Sequence, residues 1–169
     1  MSSFHAITPE QLNENPFNLI SKDWALITAG EGDHVNAMTA SWGGVGVLWG
    51  RDVAFIFIRP QRYTKEFVDR KTAFSLTFFP EGYREKLNYL GTVSGRDENK
   101  ILKSGLTLCH EDGIPYFEES KLAIFCKKLY AQPLDPACFL DAGQDKKWYP
   151  KQDYHTMYVG EITKILQKA

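Results

Sequence analysis

Two short stretches combine residue types that suit holding a small ligand better than building a core. The first is Asn36-Ala37-Met38-Thr39-Ala40-Ser41-Trp42, which runs straight into Gly43-Gly44-Val45-Gly46. On a strand, alternate residues face opposite sides. Ala37, Thr39 and Ser41 then share one face, and Asn36, Met38, Ala40 and Trp42 share the other. A face of Ala, Thr and Ser leaves room for something flat to lie against the backbone and hydrogen-bond to it. The second stretch is Arg59-Pro60-Gln61-Arg62-Tyr63-Thr64, which follows a β-prone run and opens a helix. A helix N-terminus offers unpaired N–H groups and the positive end of the dipole, and so attracts phosphate. Arg59 and Arg62 add charge, and Thr64 adds a hydroxyl. The plainer alternative is that Thr64 caps the helix and the arginines are solvated. Neighbouring strands lie about 5 Å apart, so both stretches can serve one elongated ligand with ring, sugar and phosphate.

Other constellations carry less. Gly30-Glu31-Gly32 lacks the third glycine of a dinucleotide fingerprint. Cys109-His110-Glu111-Asp112 gathers metal-ligand types, but consecutive strand residues diverge and cannot converge on one ion, so no metal is expected. Asp33-His34 reads as a polar turn. No serine or cysteine sits in a nucleophile elbow.

These stretches need elements to hold them. Thr8-Pro9-Glu10-Gln11 reads as a helix start with a capping box, cut short by Asn15-Pro16. Trp24 to Ala29 is expected to be a strand, Gly30 to Asp33 a turn, and Asn36 to Trp42 the return strand. Asp52 to Arg59 is β-prone on both faces and so central. Thr64 to Arg70 is expected to be a short helix and Ala73 to Phe79 a strand. Tyr83 to Leu90 and Asn99 to Ser104 are expected to be small helices, with Leu122 to Ala131 and Met157 to Leu166 as long closing strands. Many strands, short helices and no βαβ alternation favour an antiparallel barrel. Gln132 to Asp153 reads as a long irregular segment whose aromatic residues pack against something.

At 169 residues the chain fits one domain spanning 1–169, with an ordinary 43% hydrophobic and 24% charged composition. A formal charge of −1 excludes the broad basic field of a nucleic-acid-binding domain. No apolar run approaches the roughly 20 residues that span a bilayer, so no membrane association is expected. Met1 to His5 lacks signal-peptide features. Cys109, Cys126 and Cys138 are odd in number with no CxxC, which favours reduced thiols and a cytoplasmic location.

Four motifs, in order, resemble the flavin reductase-like family. They are Asn36 to Trp42, Arg59 to Thr64, Ser94-Gly95-Arg96-Asp97-Glu98-Asn99-Lys100, and His155-Thr156-Met157-Tyr158-Val159-Gly160-Glu161-Ile162. The resemblance covers Trp24 to Ile165 and is nearest the flavoredoxin branch. It implies a mainly β, antiparallel split β-barrel with small peripheral helices that binds FMN, usually as a homodimer with the flavin near the interface. Carried over, Asn36, Ala37, Met38, Thr39 and Ser41 would hold the ring and ribityl chain, largely through backbone, with Trp42 packed beside the flavin. Arg59, Arg62, Tyr63 and Thr64 would bind the phosphate end. Lys100, with Ser94 and Gly95, would approach the flavin or its phosphate. His155 would sit near the ring as the catalytic candidate, where relatives receive nicotinamide or another electron partner. Relatives often continue past the last strand, whereas here the stretch between Tyr130 and His155 is longer and aromatic-rich. Phe139, Trp148 or Tyr149 is therefore expected to supply a cover.

The resemblance implies an FMN-dependent oxidoreductase fed by NAD(P)H or a protein donor. A flavoredoxin-like electron carrier without its own substrate site is the alternative, and a cofactor-free interaction barrel is a third.

Overall fold

Ten strands and five short helices make up the computed structural model, which describes residues 4–169; the first three residues of the Met1-to-His5 segment lie outside the described residues. The strands are β1 (Phe4–Ile7), β2 (Ala25–Glu31), β3 (His34–Ala40), β4 (Gly43–Leu48), β5 (Arg51–Ile58), β6 (Ala73–Phe78), β7 (Leu108–Glu111), β8 (Ile114–Phe117), β9 (Leu122–Pro133) and β10 (Thr156–Lys168). The helices are α1 (Pro16–Asn18), α2 (Tyr63–Arg70), α3 (Arg84–Thr92), α4 (Lys100–Ser104) and α5 (Ala142–Trp148).

The main sheet is antiparallel, in the order β3-β2-β6-β9-β10-β5-β4, with β1 added to β10. Its two terminal strands, β3 and β4, are consecutive in the chain and joined only by Ser41 and Trp42. Strands at opposite ends of a seven-strand path can be linked by two residues only if the sheet curls round on itself. The result is a barrel split between β3 and β4, each hydrogen-bonded along one edge only. The curl is helped by β10, whose pairing with β9 slips at Val159/Gly160 and again between Ile162 and Lys164; such bulges bend a strand and increase its twist.

Inside the barrel lie Ile27, Met38, Ile56, Phe74, Leu76, Ile124 and Tyr158. Between the sheet and α3 lies a second cluster with Leu26, Ala37, Phe79, Leu87, Leu90 and Phe117. β2 is therefore buried on both faces, which is why Ala25 to Gly30 is almost uniformly apolar or small. Helix α2 seats Phe67 and Val68 in the barrel core, and the Tyr158 hydroxyl donates to Asp69 at 2.6 Å. These contacts anchor the C-terminal half of the helix, and the bond from Asn36 to Thr64 holds its first turn.

The first helix is short as expected, a single 3-10 turn over Pro9–Gln11, and Pro16 then starts a second helical turn, because Asn15 Oδ1 accepts from the amides of Phe17 and Asn18. Several local expectations are corrected. Arg62, not Thr64, is the N-cap residue of α2. The first hairpin turn shrinks to Gly32-Asp33, with β2 continuing through Glu31. Ser41 and Trp42 fall outside β3. The glycine-rich stretch is itself strand β4; Gly43, at φ +147°, lies so near β5 that a Cβ would come within 2.6 Å of the Phe55 carbonyl oxygen. The β7–β8 hairpin turns on Asp112-Gly113, both at positive φ. The segment Gln132 to Asp153 is not structureless, since it contains the end of β9, a 3-10 turn and α5 capped by Asp141.

Gly160 is a tight point in the barrel core, where side chains rather than backbone crowd it. A Cβ there would sit 2.7 Å from Phe74 Cζ and 2.8 Å from Cys126 Cβ, both in fully buried residues. Gly160→Ala should lower stability by about 1–3 kcal/mol in urea denaturation. An unchanged midpoint would contradict this packing.

Candidate functional site

The site is built on the free edge of β3 and the elements that bracket it. The open small-residue face expected for Ala37, Thr39 and Ser41 is filled by protein. Ala37 is fully buried under α3, and the Thr39 hydroxyl donates to the Leu87 carbonyl. On the opposite face, Met38 packs into the barrel core. What this stretch offers a ligand is therefore the backbone along the unpaired edge of β3, together with Ser41 and Trp42 at the split, both exposed. At about 3.3 Å per residue, the run from Asn36 to Ser41 measures roughly 17 Å.

One end of that run meets a cavity lined by cationic and hydroxyl side chains. A cavity of about 190 Å³ is lined by Arg62, Tyr63, Thr64, Ser94, Gly95 and Lys100 among others. Asn36, 3% exposed, donates from Nδ2 to Thr64 Oγ1 at 2.8 Å, so the buried threonine keeps its own O–H free to donate. The first amides of α2, at Tyr63 and Thr64, begin here. Gly95 passes so close that a Cβ would lie 2.2 Å from Asn36 Oδ1. The turn carrying Gly95 is latched to α2: Arg96 donates to the Gln61 carbonyl, pairs with Glu66 and stacks over Tyr63, its guanidinium carbon 4.6 Å from the ring centroid.

Two cations meet at this cavity. Lys100, only 3% exposed, donates to the carbonyls of Leu90 at 2.8 Å and Val93 at 2.9 Å. Arg62 donates to the Gly91 carbonyl at 2.8 Å. Among the described residues neither has a carboxylate partner. Burial, and then the charge of Arg62, push the Lys100 amine down to about 8. Burial likewise lowers Arg62. The carbonyls they meet belong to the C-terminal turn of α3 and the residue after it, so a capping role is part of the account. A helix C-terminus carries about half a negative charge, which leaves most of the charge of two cations, and the positive end of α2, uncompensated. The third N–H of Lys100 and most of the Arg62 guanidinium remain available. This donor set fits a dianionic phosphate.

Arg59 takes a different course from Arg62. It pairs with Asp153 at 2.7 Å, donates to the Trp148 carbonyl at 2.9 Å and stacks on Tyr149 at 4.9 Å. Gln61 binds the same Asp153. Arg59 thus clamps the α5 segment to the end of β5, and the expected cover residues are held in that segment. Trp148 meets Trp42 edge-on at 4.9 Å, and Trp42 lies 5.3 Å from His155. Tyr149 is turned inward to His155 Nδ1, and Phe139 packs on Tyr149 and Tyr154. The structure therefore groups the predicted residues into two ends. Asn36, Arg62, Tyr63, Thr64, Ser94, Gly95 and Lys100 form the first, and Ser41, Trp42 and His155 mark the second. Arg96, Gln61 and Asp153 were not among the predicted site residues. Arg96 lay within a motif already singled out; Asp153 has no local signal, since its partner is distant in sequence. The Cys109 to Asp112 run holds Lys164 through Glu111 and Asp112.

The family model described as "flavin reductase like domain" matches residues 17–169. A search of curated proteins gave no significant match. Among solved structures, the chain is similar to the FMN-binding domain of a flavin reductase-like enzyme from Shewanella baltica OS155, with a TM-score of 0.70, 14% identity, and coverage of 99% of this chain and 78% of that one. It is also similar to an FMN-binding protein from Thermus thermophilus with bound p-hydroxybenzaldehyde, with a TM-score of 0.67, 20% identity, and coverage of 96% and 78%. A third is the flavoredoxin of Desulfovibrio vulgaris (Miyazaki F), with a TM-score of 0.66, 21% identity, and coverage of 94% and 75%. These likenesses show the split-barrel fold.

Gly95→Ala should displace Asn36 from Thr64 and cost about 1 kcal/mol, the worth of one buried hydrogen bond. Chemical denaturation of this variant beside the parent measures it. Equal stabilities would mean that the close approach does not hold Asn36 in place.

Proposed function

The chain belongs to the flavin reductase-like domain family, and from that membership we propose that it is an FMN-binding oxidoreductase. It takes electrons from NAD(P)H or a protein donor and passes them to free flavin, a metal or another acceptor. The observation that carries this reading is the pair of cations, buried Lys100 and half-buried Arg62, with no carboxylate partner among the described residues at a cavity shared with the first turn of α2. A terminal phosphate carries about −1.5 to −2 charge near pH 7 and matches that excess.

When bound, the flavin supplies hydride or single-electron acceptance at its ring. The chain's own residues bind and orient. Arg62, Lys100, the Thr64 hydroxyl and the first amides of α2 hold the phosphate. The free edge of β3 offers main-chain donors and acceptors to the sugar chain and ring. Trp42, with Trp148 against it, screens one side of the ring from water. No proton-transferring pair is needed beside a cofactor that does the redox chemistry itself.

The chain works as a homodimer in this reading. Support comes from exposed Trp42, Val47, Trp49 and Leu140, the first three on or beside the open edge strand β4, since aromatic residues are enriched in interfaces. Three free thiols suit a reducing compartment such as the cytoplasm.

Purified protein should be yellow or take up added FMN, and NADH or NADPH should bleach it within the time of a stopped-flow experiment. Flavin that binds but stays oxidised with both nicotinamides would shift the reading to an electron carrier. A colourless protein that takes up no FMN would end it.

The anion site also sets a pH dependence. Lys100, charged below about 8 in the free protein, loses its proton as pH rises past that value, so FMN affinity should fall there. Phosphate protonation near pH 6 sets the lower limit. Lys100→Met should weaken FMN by about 1.5–3 kcal/mol, roughly ten- to a hundredfold in Kd, and flatten the alkaline side of the profile. Fluorescence titration across pH checks both; an unaltered profile would remove Lys100 from the site.

A further inference from the structure

His155 stands at the start of β10, its carbonyl accepting from the Leu134 amide at 2.8 Å. Its side chain is only 7% exposed, and Nδ1 lies 2.7 Å from the hydroxyl of Tyr149, itself 7% exposed. Nε2, on the far side of the ring, has no hydrogen-bond partner among the described residues and is not sealed from solvent. Trp42 lies against the same ring. A nine-tenths-buried imidazole with one nitrogen held and the other open is poised to meet a ligand.

The direction of the Tyr149–His155 bond follows from counting partners. If Nδ1–H donated, the tyrosine's own hydrogen would be buried without an acceptor. If the tyrosine donates, only Nε2–H is left over, and that atom is open to solvent or a ligand. Leaving fewer buried groups unpaired decides for the second arrangement. The charged groups around the ring are Arg59, stacked on Tyr149, and Asp153, paired with Arg59. Burial first, then Arg59, pushes His155 down to about 4, with Asp153 opposing. Burial raises the Tyr149 phenol. Both rings are neutral at physiological pH.

We propose that Tyr149 is a positioning residue that fixes His155 in the tautomer with hydrogen on Nε2, so that the imidazole donates a hydrogen bond to an acceptor atom of a ligand bound beside Trp42. The α5 segment, clamped by Arg59, brings Tyr149 to this place. The identity of the ligand, a flavin or the electron donor that meets it, rests on the function proposed above. The tautomer does not.

Nitrogen NMR of the labelled, flavin-free protein reads the tautomer directly, with His155→Gln assigning the resonances among four histidines. Protonated Nε2 and bare Nδ1, constant from mildly acidic to mildly basic pH, are expected in the parent. A tautomer mixture is expected in Tyr149→Phe, which keeps the aromatic ring for Arg59 to stack on. Hydrogen on Nδ1 in the parent, or an unaltered pattern in Tyr149→Phe, overturns the proposal. With FMN loaded, flavin reduction should slow roughly three- to tenfold in Tyr149→Phe, the value of one neutral hydrogen bond. His155→Gln, whose amide N–H can replace Nε2–H, should reduce faster than His155→Leu; equal rates in parent and His155→Leu overturn the donor role. No flavin uptake by the parent fails the functional reading and the donor role with it, while the spectra still decide what Tyr149 does.

Discussion

Two positive charges gathered at one cavity, Lys100 buried and Arg62 half-buried, with carbonyls but among the described residues no carboxylate to meet them, are the interaction around which this molecule is organised. Lys100 and Arg62 each approach the end of α3. Desolvation and mutual repulsion both act against the arrangement, as the lowered amine of Lys100 records. The α3 dipole offsets only a fraction of a charge. A desolvated cluster of one sign is usually neutralised by a partner, and the partner proposed here is a ligand that brings about two negative charges of its own.

The fold holds that arrangement through long-range connections. Helix α2 is anchored in the barrel by Phe67, Val68 and the Tyr158–Asp69 bond. Helix α3 lies over β3, with Leu87 and Leu90 in the second core and Thr39 bonded to its backbone. Asn36 joins the two helices' territories by bonding Thr64 from β3. The two-residue link at Ser41-Trp42 forces the barrel to split beside the same strand, which leaves its outer edge free for a ligand. The α5 segment, clamped by Arg59, closes the other end around His155.

Much of this could be read from the residues. The strands with strong β propensity, the short helix after Arg62 and the antiparallel architecture follow from local pattern. Helix-terminus chemistry pointed to the stretch that lines the cavity at the start of α2, and the family resemblance pointed to Lys100, which lines it too, and to His155, which packs against Trp42; their roles belong to the proposal. The misses share a physical cause, which is that tertiary contact overrode local preference. Gly43 to Leu48 has poor strand propensity but pairs with β5 along its length. The Ala37 and Thr39 face looked vacant because nothing local announces that α3 will cover it. Arg59 and Arg62 are indistinguishable in sequence, and only the clamp to Asp153 separates their roles. The Asp112-Gly113 turn and the Asp141 cap, by contrast, carried local signals that were passed over.

The family match, the fold and the charge balance all support one central proposal, that the Arg62–Lys100 cavity holds the phosphate of the flavin. Comparing FMN with riboflavin, which has the same ring and ribityl chain but no phosphate, tests it most directly. Fluorescence titrations of the two should give Kd values differing by roughly a hundredfold or more in favour of FMN, as two charge-assisted contacts would provide. Equal affinities would contradict the account.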